Sequence, residues 1–253
     1  MNIDGLAAVI TGSASGLGAA TAAMLAGRGA HVTILDMNAE AGAAHATAIG
    51  GRFVQTDVTD EASVVAGLDA AERAQGVARI LVNCAGVAPA IKTVGKENAV
   101  HPLSAFRRTL DINLIGTFTA ITHVAARMAA VDPIGEERGV IVNTASVAAF
   151  DGQIGQVAYA ASKAAVAGMT LPIARDLAQH RIRVMTIAPG IFLTPMLMGL
   201  PQAAQDSLGI QVPHPSRLGR PEEYAALVET IVTNPMLNGE VIRLDGAIRM
   251  APR

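Results

Sequence analysis

Cysteine is nearly missing from this chain: Cys84 is the only one in 253 residues, which excludes an internal disulfide framework. Histidine is almost as sparse, and the six present are scattered without metal-ligand spacing, so no metal is expected. An excess of one charge is missing too. Nineteen Lys and Arg stand against 21 Asp and Glu, a net charge of −2. That balance removes the general electrostatic case for nucleic acid or an anionic membrane as partner. No uncharged apolar run reaches the ~20 residues of a membrane span, and no internal repeat or low-complexity tract stands out beyond general alanine richness. The first apolar run starts by about Leu6, which leaves no room for a signal or transit peptide. These absences predict a soluble protein of a reducing compartment, and the expected location is cytoplasmic.

What the chain does have is apolar residues, 51% of the total, enough to bury one large core. Short apolar runs alternate with helix-favouring stretches and no linker interrupts them. The runs predict strands at Leu6–Thr11, His31–Asp36, Gly51–Asp57, Arg79–Asn83, Gly139–Ala145, Ile182–Ile187 and Glu240–Leu244. Between them the pattern predicts helices at Ala19–Arg28, Glu61–Gln75, about Leu103–Ala130, a stretch through Tyr159 to about Gln179, and about 222–233. Seven such strands separated by helices predict an α/β fold: one domain over 1–253, a Rossmann-type, doubly wound parallel seven-stranded sheet with helices on both faces. A Pro-rich segment covers 189–221, and a lid is expected within about 190–220.

Three features carry chemistry. Gly12, Gly16 and Gly18 punctuate the turn between the first strand and the helix that follows. Backbone amides in such a turn approach a pyrophosphate, and the helix dipole adds to the attraction; alone, the turn also suits mere close packing. The second strand ends in Asp36, where a carboxylate can accept hydrogen bonds from an adenosine ribose. Tyr159 and Lys163 lie one helical turn apart on one face. A fixed cation there favours the phenolate and draws its pKa from ~10 toward the working range. Ser146, just past the fifth strand, can aim its hydroxyl at the same point or serve as a cap. In most chains a Tyr-xxx-Lys pair is only a surface pair, so its weight comes from the other two features.

Thr11-Gly-x-x-x-Gly-x-Gly18, Asp57-Val58, Asn83-Cys-Ala-Gly86, Asn113, Ser146, Tyr159-xxx-Lys163 and Pro189-Gly190 follow one another over essentially the whole chain. In that order they resemble the short-chain dehydrogenase/reductase family. The resemblance implies an oxidoreductase in which Tyr159 is the general acid or base, and Lys163 lowers its pKa and holds the nicotinamide ribose. Ser146 would bind the substrate oxygen and Asn113 would keep a water in a proton relay behind Lys163. It implies a nicotinamide cofactor held by Gly12, Ser15, Gly16, Leu17 and Gly18 at the pyrophosphate, Asp36 at the ribose, and Asp57 and Val58 at the adenine. Cys84 and Gly86 would lie beside the nicotinamide ribose, with Phe192 and Thr194 closing over the carboxamide.

Residues 143–150, 171–177 and 238–250 look closest to the type II 3-hydroxyacyl-CoA dehydrogenase branch, also known for 17β-hydroxysteroid oxidation. That likeness implies an (S)-3-hydroxyacyl-CoA substrate, short or branched, touched by Ser146, Gln156 and Tyr159, with Gln153 nearby. Lys92 and Lys96 would meet coenzyme A phosphates, or are ordinary loop lysines. The stretch Met196–Pro201 would lie over an acyl chain, or is an amphipathic packing helix. NAD is expected over NADP because Asp36 is followed by Met37 and Asn38 and the glycine turn holds no basic residue. Steroid or other secondary-alcohol oxidation and reduction of a 3-ketoacyl carrier remain alternatives, with a dinucleotide-binding scaffold as a third class. Small residues at Ala160, Ala161, Ala164, Ala165 and Gly168 permit close helix contacts within or between subunits, and the resemblance favours a homotetramer.

Overall fold

In the computed structural model, which describes residues 1–199 and 201–252, the predicted alternation is realised as one sheet. Strands β1 (Ala7–Thr11), β2 (His31–Asp36), β3 (Arg52–Gln55), β4 (Ile80–Asn83), β5 (Gly139–Thr144), β6 (Ile182–Pro189) and β7 (Val241–Leu244) are all parallel. Their order across the sheet is β3-β2-β1-β4-β5-β6-β7. Every residue of β1 and β4 is buried because helices cover both faces. That is why these strands read as continuous apolar runs and not as alternating ones.

Alternate residues divide between two cores. Ile10, Ile34, Ile80 and Val142 pack with Leu25, Tyr224 and Ile231. These come from α1 (Gly16–Gly27), with α2 (Ala39–Ala48) beside it, and from the later helix Pro221–Thr233. Val9, Leu81 and Ile141 pack on the other face with Leu68, Ile121, Met128 and Ala174. Those side chains belong to α3 (Glu61–Gln75) and to the helices Gly116–Ala129 and Val157–Ala178. Caps set several helix starts: Asn38 accepts from the Ala41 amide and Asp60 from the Ala62 amide.

The helix expected from Leu103 to Ala130 is present but broken in its winding. α4 (Leu103–Leu110) passes through a π turn at Asp111–Ile115 into α5 (Gly116–Ala129). A π turn inserts one extra residue and re-aims the side chains around it; here it buries Asn113 completely. Next comes α6 (Val157–Ala178), which continues through Pro172 as expected. Its 22 residues are long and apolar enough to cross a bilayer by composition alone, yet it packs on β6 and α4 and buries Lys163. The Pro-rich segment is not irregular throughout: it holds α7 (Pro195–Met198) and α8 (Gln202–Ile210), and α9 (Pro221–Thr233) follows. Leu200 of the expected lid lies outside the described residues.

The strand order reverses between β1 and β4. In open α/β sheets the crevice beyond the carboxyl ends of two such strands is where ligands bind. A polar row crosses the sheet just beneath it. Thr11, Asn83, Asn143 and Thr186 face one another in register on β1, β4, β5 and β6. The Asn83 amide donates to Asn143 Oδ1 at 2.9 Å, and the Thr186 and Thr170 hydroxyls are 2.6 Å apart.

Candidate active site

A cavity of about 710 Å³ opens at this crevice, within the ~300–1,000 Å³ range of ligand sites. Its walls include Gly12, Ser15, Gly16, Leu17, Gly18, Asp36, Asp57, Val58, Cys84, Gly86, Ser146, Gln156, Tyr159, Lys163, Phe192 and Thr194. The structure therefore brings together every catalytic, cofactor and substrate candidate except Asn113, which is buried just behind.

At one end, two glycines shape the turn between β1 and α1. Gly12 runs at φ +64°, and a Cβ there would overlap the Cys84–Ala85 backbone at the exit of β4. A Cβ on Gly18 would overlap the Gly12 carbonyl oxygen. Only glycine lets the turn and the helix close this tightly. The helix N-terminus then faces the cavity with no acidic residue in its first turn, and Ser15, at the N-cap, makes no capping bond with its side chain. This arrangement accepts an anion. The Asp36 carboxylate is fixed by two backbone amides, Ala14 N to Oδ2 and Asn38 N to Oδ1, both at 2.9 Å. Asp57 accepts from the Thr59 hydroxyl at 2.7 Å and amide at 2.9 Å. These bonds, with the charge of Arg108, hold its carboxyl below the usual range. The residues present thus fit a dinucleotide: an anion-binding turn, a carboxylate fixed at the end of β2 and a second carboxylate, Asp57, past the end of β3 in the same cavity wall.

At the other end lie the groups for proton chemistry. Ser146 follows β5: its hydroxyl accepts from the Ala148 amide at 3.1 Å and lies close enough to the Tyr159 phenol to draw its pKa downward. Lys163 Nζ donates to the Thr144 carbonyl at 2.7 Å and lies 5.9 Å from the centre of the Tyr159 ring. Burial brings the Lys163 pKa down to about 8. The expected lowering of the Tyr159 pKa by Lys163 is not what the protein alone produces. Burial pushes the phenol up, and the opposing influence comes from Ser146. The reason is dielectric: removing water from the phenolate costs more than the nearby Ser146 hydroxyl returns.

Asn113 acts as a clamp. Its Nδ2 donates to the Val87 carbonyl (2.9 Å) and to Ser162 Oγ (3.0 Å), while its Oδ1 accepts from the Val87 amide (2.8 Å). Ser162 in turn donates to the Tyr159 carbonyl. The side-chain amide is thus committed to protein partners on both sides. A Cβ added to Gly86 would lie 3.2 Å from Asn113 Oδ1 and 3.5 Å from Lys163 Nζ, so the clamp sits against the lysine. Cys84, expected to be a small buried group, is half-buried in the cavity wall, packed against the core. Burial raises its thiol pKa, with Thr144 and Tyr224 hydrogen-bonded to it. Phe192 is mostly turned into the core against Gly219 and shows the cavity an edge. Gln156 and Gln153 bond each other, Gln153 N to Gln156 Oε1 at 3.0 Å and Gln156 Nε2 to Gln153 Oε1 at 3.3 Å.

Arg108, Ile112, Leu208 and Met250 also line the cavity, and nothing in their local sequence marked them. The loop 91–102 forms a small hairpin, with Val94 bridged to Val100 and Ile91 N bonded to the Gly155 carbonyl. Lys92 lines a second cavity, about 440 Å³, that shares Gln153 and Gln156 with the first. Lys96 is exposed nearby. No cluster of metal-ligating side chains occurs among the described residues.

Comparison with known proteins adds the following. The family model described as short chain dehydrogenase matches residues 6–205. The human 3-hydroxyacyl-CoA dehydrogenase type-2 is 55% identical over 255 aligned positions, covering 99% of this chain and 98% of that protein. The Drosophila melanogaster protein of the same name is 53% identical and is covered completely. A crystal structure of 3-hydroxyacyl-CoA dehydrogenase type-2 from Mycobacterium avium superposes with a TM-score of 0.93 at 42% identity, with 98% of each chain covered.

Proposed function

The chain belongs to the short-chain dehydrogenase family, and from that premise we propose that it oxidises a 3-hydroxyacyl-CoA to the 3-ketoacyl-CoA with NAD as hydride acceptor. The observation that carries this reading is the joining of end-to-end similarity to 3-hydroxyacyl-CoA dehydrogenases type-2 with an assembled Ser146–Tyr159–Lys163 cluster in a dinucleotide-shaped cavity. NAD, when bound, supplies the hydride acceptor. All else falls to side chains. Ser146 hydrogen-bonds the substrate oxygen where charge develops. Tyr159 takes the hydroxyl proton in oxidation and returns it in reduction. Lys163 holds the nicotinamide ribose and supplies the positive charge that keeps a phenolate tolerable, and Asn113, through Val87 and Ser162, keeps the lysine's surroundings in place.

Asp36 is the basis for choosing NAD. A carboxylate fixed by two amides bonds both ribose hydroxyls but repels a 2′-phosphate that meets no compensating cation. Gly12, Ser15, Gly16, Leu17 and Gly18 would hold the pyrophosphate, Asp57 and Val58 the adenine, Cys84 and Gly86 the nicotinamide ribose, and Phe192 and Thr194 the carboxamide. The second cavity supports a thioester substrate. It is lined by Lys92 and shares Gln153 and Gln156 with the first, so coenzyme A phosphates would meet Lys92 and Lys96 beside the polar wall of the main cavity. An (S)-configured, short or branched acyl group is the substrate we expect. A homotetramer fits the exposed apolar side chains of two neighbouring helical runs, Leu103, Ile115 and Phe118 on α4–α5, and Val157 and Leu171 on α6. Light scattering at micromolar concentration tests it, and a monomeric mass refutes it. A cytoplasmic setting is supported by Cys84 being a free thiol; fractionation tests it.

The deciding experiment follows NADH absorbance with purified protein against acyl-CoAs, steroids and simple secondary alcohols, with both dinucleotides. We expect acetoacetyl-CoA to be reduced with NADH and NADPH to be a poor substitute. Brisk steroid or alcohol turnover without any acyl-CoA turnover overturns the substrate, and equal kcat/KM for the two dinucleotides overturns the cofactor choice. Lys92→Ala with Lys96→Ala should raise KM for acetoacetyl-CoA and leave a small uncharged ketone unaffected.

A further inference from the structure

The last described residues, after β7, form no regular element, yet they are among the most heavily tied in the molecule. β7 ends at Leu244 beside Pro189, and the Gly190 amide bonds the Leu244 carbonyl at 2.9 Å. Gly246 (φ +58°) and Ala247 (φ +68°) are both left-handed, which turns the chain back over the cavity mouth; the Ala247 conformation is uncommon for a residue with a Cβ. Asp245 holds that turn by accepting from the Ala247 amide at 2.9 Å. Ile248 is then driven into the interior, 2% exposed. Met250 faces the cavity.

Arg243 is the centre of the fastening. Its guanidinium donates to Asp245 Oδ2 at 2.7 Å, to Asp151 Oδ2 at 2.6 Å and to the Ile248 carbonyl at 3.0 Å, and it stacks 5.3 Å from the Phe150 ring centre. Asp151 belongs to the loop between β5 and α6, which carries Gln153 and Gln156. The two segments meet twice more: Gln153 Nε2 donates to the Ala251 carbonyl and Ile154 N to the Pro252 carbonyl, both at 3.0 Å. Because Gln153 also bonds Gln156, the tail, the loop and the polar wall of the cavity form one hydrogen-bonded unit.

We propose that Met250, latched by Arg243 to the 150–156 loop, is a specificity-determining residue that closes the acyl end of the substrate cavity and sets the length of chain admitted. Met250, Leu197 and Leu208 are apolar members of the lining of one cavity, and an unbranched, deformable thioether side chain suits a wall that meets acyl groups of varied shape. The latch keeps that wall from swinging outward. Removing it changes which substrates fit while leaving Asp36 alone, since the Asp36 carboxylate is held by the Ala14 and Asn38 amides and not by the latch. The acyl part of this inference rests on the reading of the substrate given above.

The test is a chain-length series. Purified Met250→Ala, Met250→Trp and Asp151→Asn are assayed with 3-hydroxyacyl-CoAs of four to ten carbons and, in parallel, with 2-alkanols of increasing length. We expect Met250→Ala to raise kcat/KM for the eight-carbon substrate relative to the four-carbon one by at least about tenfold, the scale of a few methylenes in an apolar pocket. Met250→Trp should reject the longer members and retain the shortest. Asp151→Asn should widen the profile in the direction of Met250→Ala while KM for NAD stays within twofold. A merely structural role would lower Tm and depress all chain lengths together, and that result overturns the proposal, as does a profile unmoved in all three variants. If no acyl-CoA is turned over but the alkanol profile shifts as described, the wall stands and the thioester reading falls. If acyl-CoAs are turned over and the profile does not shift, the reverse holds.

Discussion

Two buried cations sit at opposite ends of the same pair of strands, and the protein treats them differently. Arg183, at the start of β6, donates to Glu137 Oε2 at 2.6 Å and to the carbonyls of Ile231, Leu237 and Val232 at 2.7, 2.9 and 3.0 Å. Burial works against the Glu137 carboxylate, but bonds from Arg183 and the Met1 ammonium outweigh it and hold the pKa low. Every donor is used and the charge is neutralised. Lys163, packed against the end of β5, is 5% exposed and has the Thr144 carbonyl as its hydrogen-bond partner. No carboxylate pairs with it among the described residues, and burial takes its pKa to about 8. The first arrangement is closed to further chemistry. The second leaves an ammonium poised to change state and with donors to spare, a standing cost in stability that is characteristic of a working site.

The comparison can be broken at either end. The largest effect expected is on turnover: Tyr159→Phe should lower kcat at least 100-fold, the usual scale of general acid–base catalysis, with Tm and NAD affinity nearly unchanged. Stopped assays and dinucleotide titration check this, and activity retained within tenfold would mean a different proton donor. Next, Arg183→Met should cost about 3–5 kcal/mol of stability by stranding the Glu137 carboxylate, while kcat of the folded fraction stays the same. Glu137→Gln placed on top of it should recover part of the loss; denaturant melts read both.

The third test concerns sign. Because the folded-state pKa of Lys163 is depressed, the unfolded chain binds more protons between about pH 8 and 10.5. Wild-type stability therefore receives a contribution that rises with pH through that window, and the cost of the buried ammonium is fully present at pH 7. Lys163→Met should be inactive yet more stable at pH 7, on the order of 1–3 kcal/mol, with the advantage shrinking as pH approaches 10.5. Paired thermal melts at pH 7 and pH 10 measure it, and a destabilised variant at pH 7 would show that the lysine holds the end of β5 together. The smallest effect expected is at Cys84. Its thiol pKa is pushed upward by desolvation, so thiol reagents should modify it more slowly in the folded protein than after denaturation.

Much of this was legible in the sequence for a physical reason. Parallel strands buried on both faces must be apolar throughout, so β1, β4 and β5 appear as unbroken runs, and glycines at 12 and 18 mark a turn no other residue can make. Tyr159 and Lys163 are readable because one helical turn fixes their relation. What stayed hidden depends on contacts between distant segments. The π turn at Asp111–Ile115 has no local signature, and it determines that Asn113 clamps Val87 to Ser162. Arg108, on α4, and Met250, past the turn at Gly246–Ala247, reach the cavity only through tertiary packing of segments far apart in the chain. The burial that raises the Tyr159 pKa in the protein alone is invisible in a spacing.

One helix carries three of the groups that must stay in register: Tyr159, Ser162 and Lys163 all ride on α6. Their mutual spacing is therefore set by intrahelical hydrogen bonds, and thermal jostling of the sheet or the lid displaces them as a body. Only the placement of α6 against the end of β5 remains to be set by tertiary packing, and the Lys163–Thr144 bond sits on that joint. The machinery has few independent degrees of freedom to lose. Heating should therefore loosen the surrounding loops well before it disturbs the spacing of Tyr159, Ser162 and Lys163.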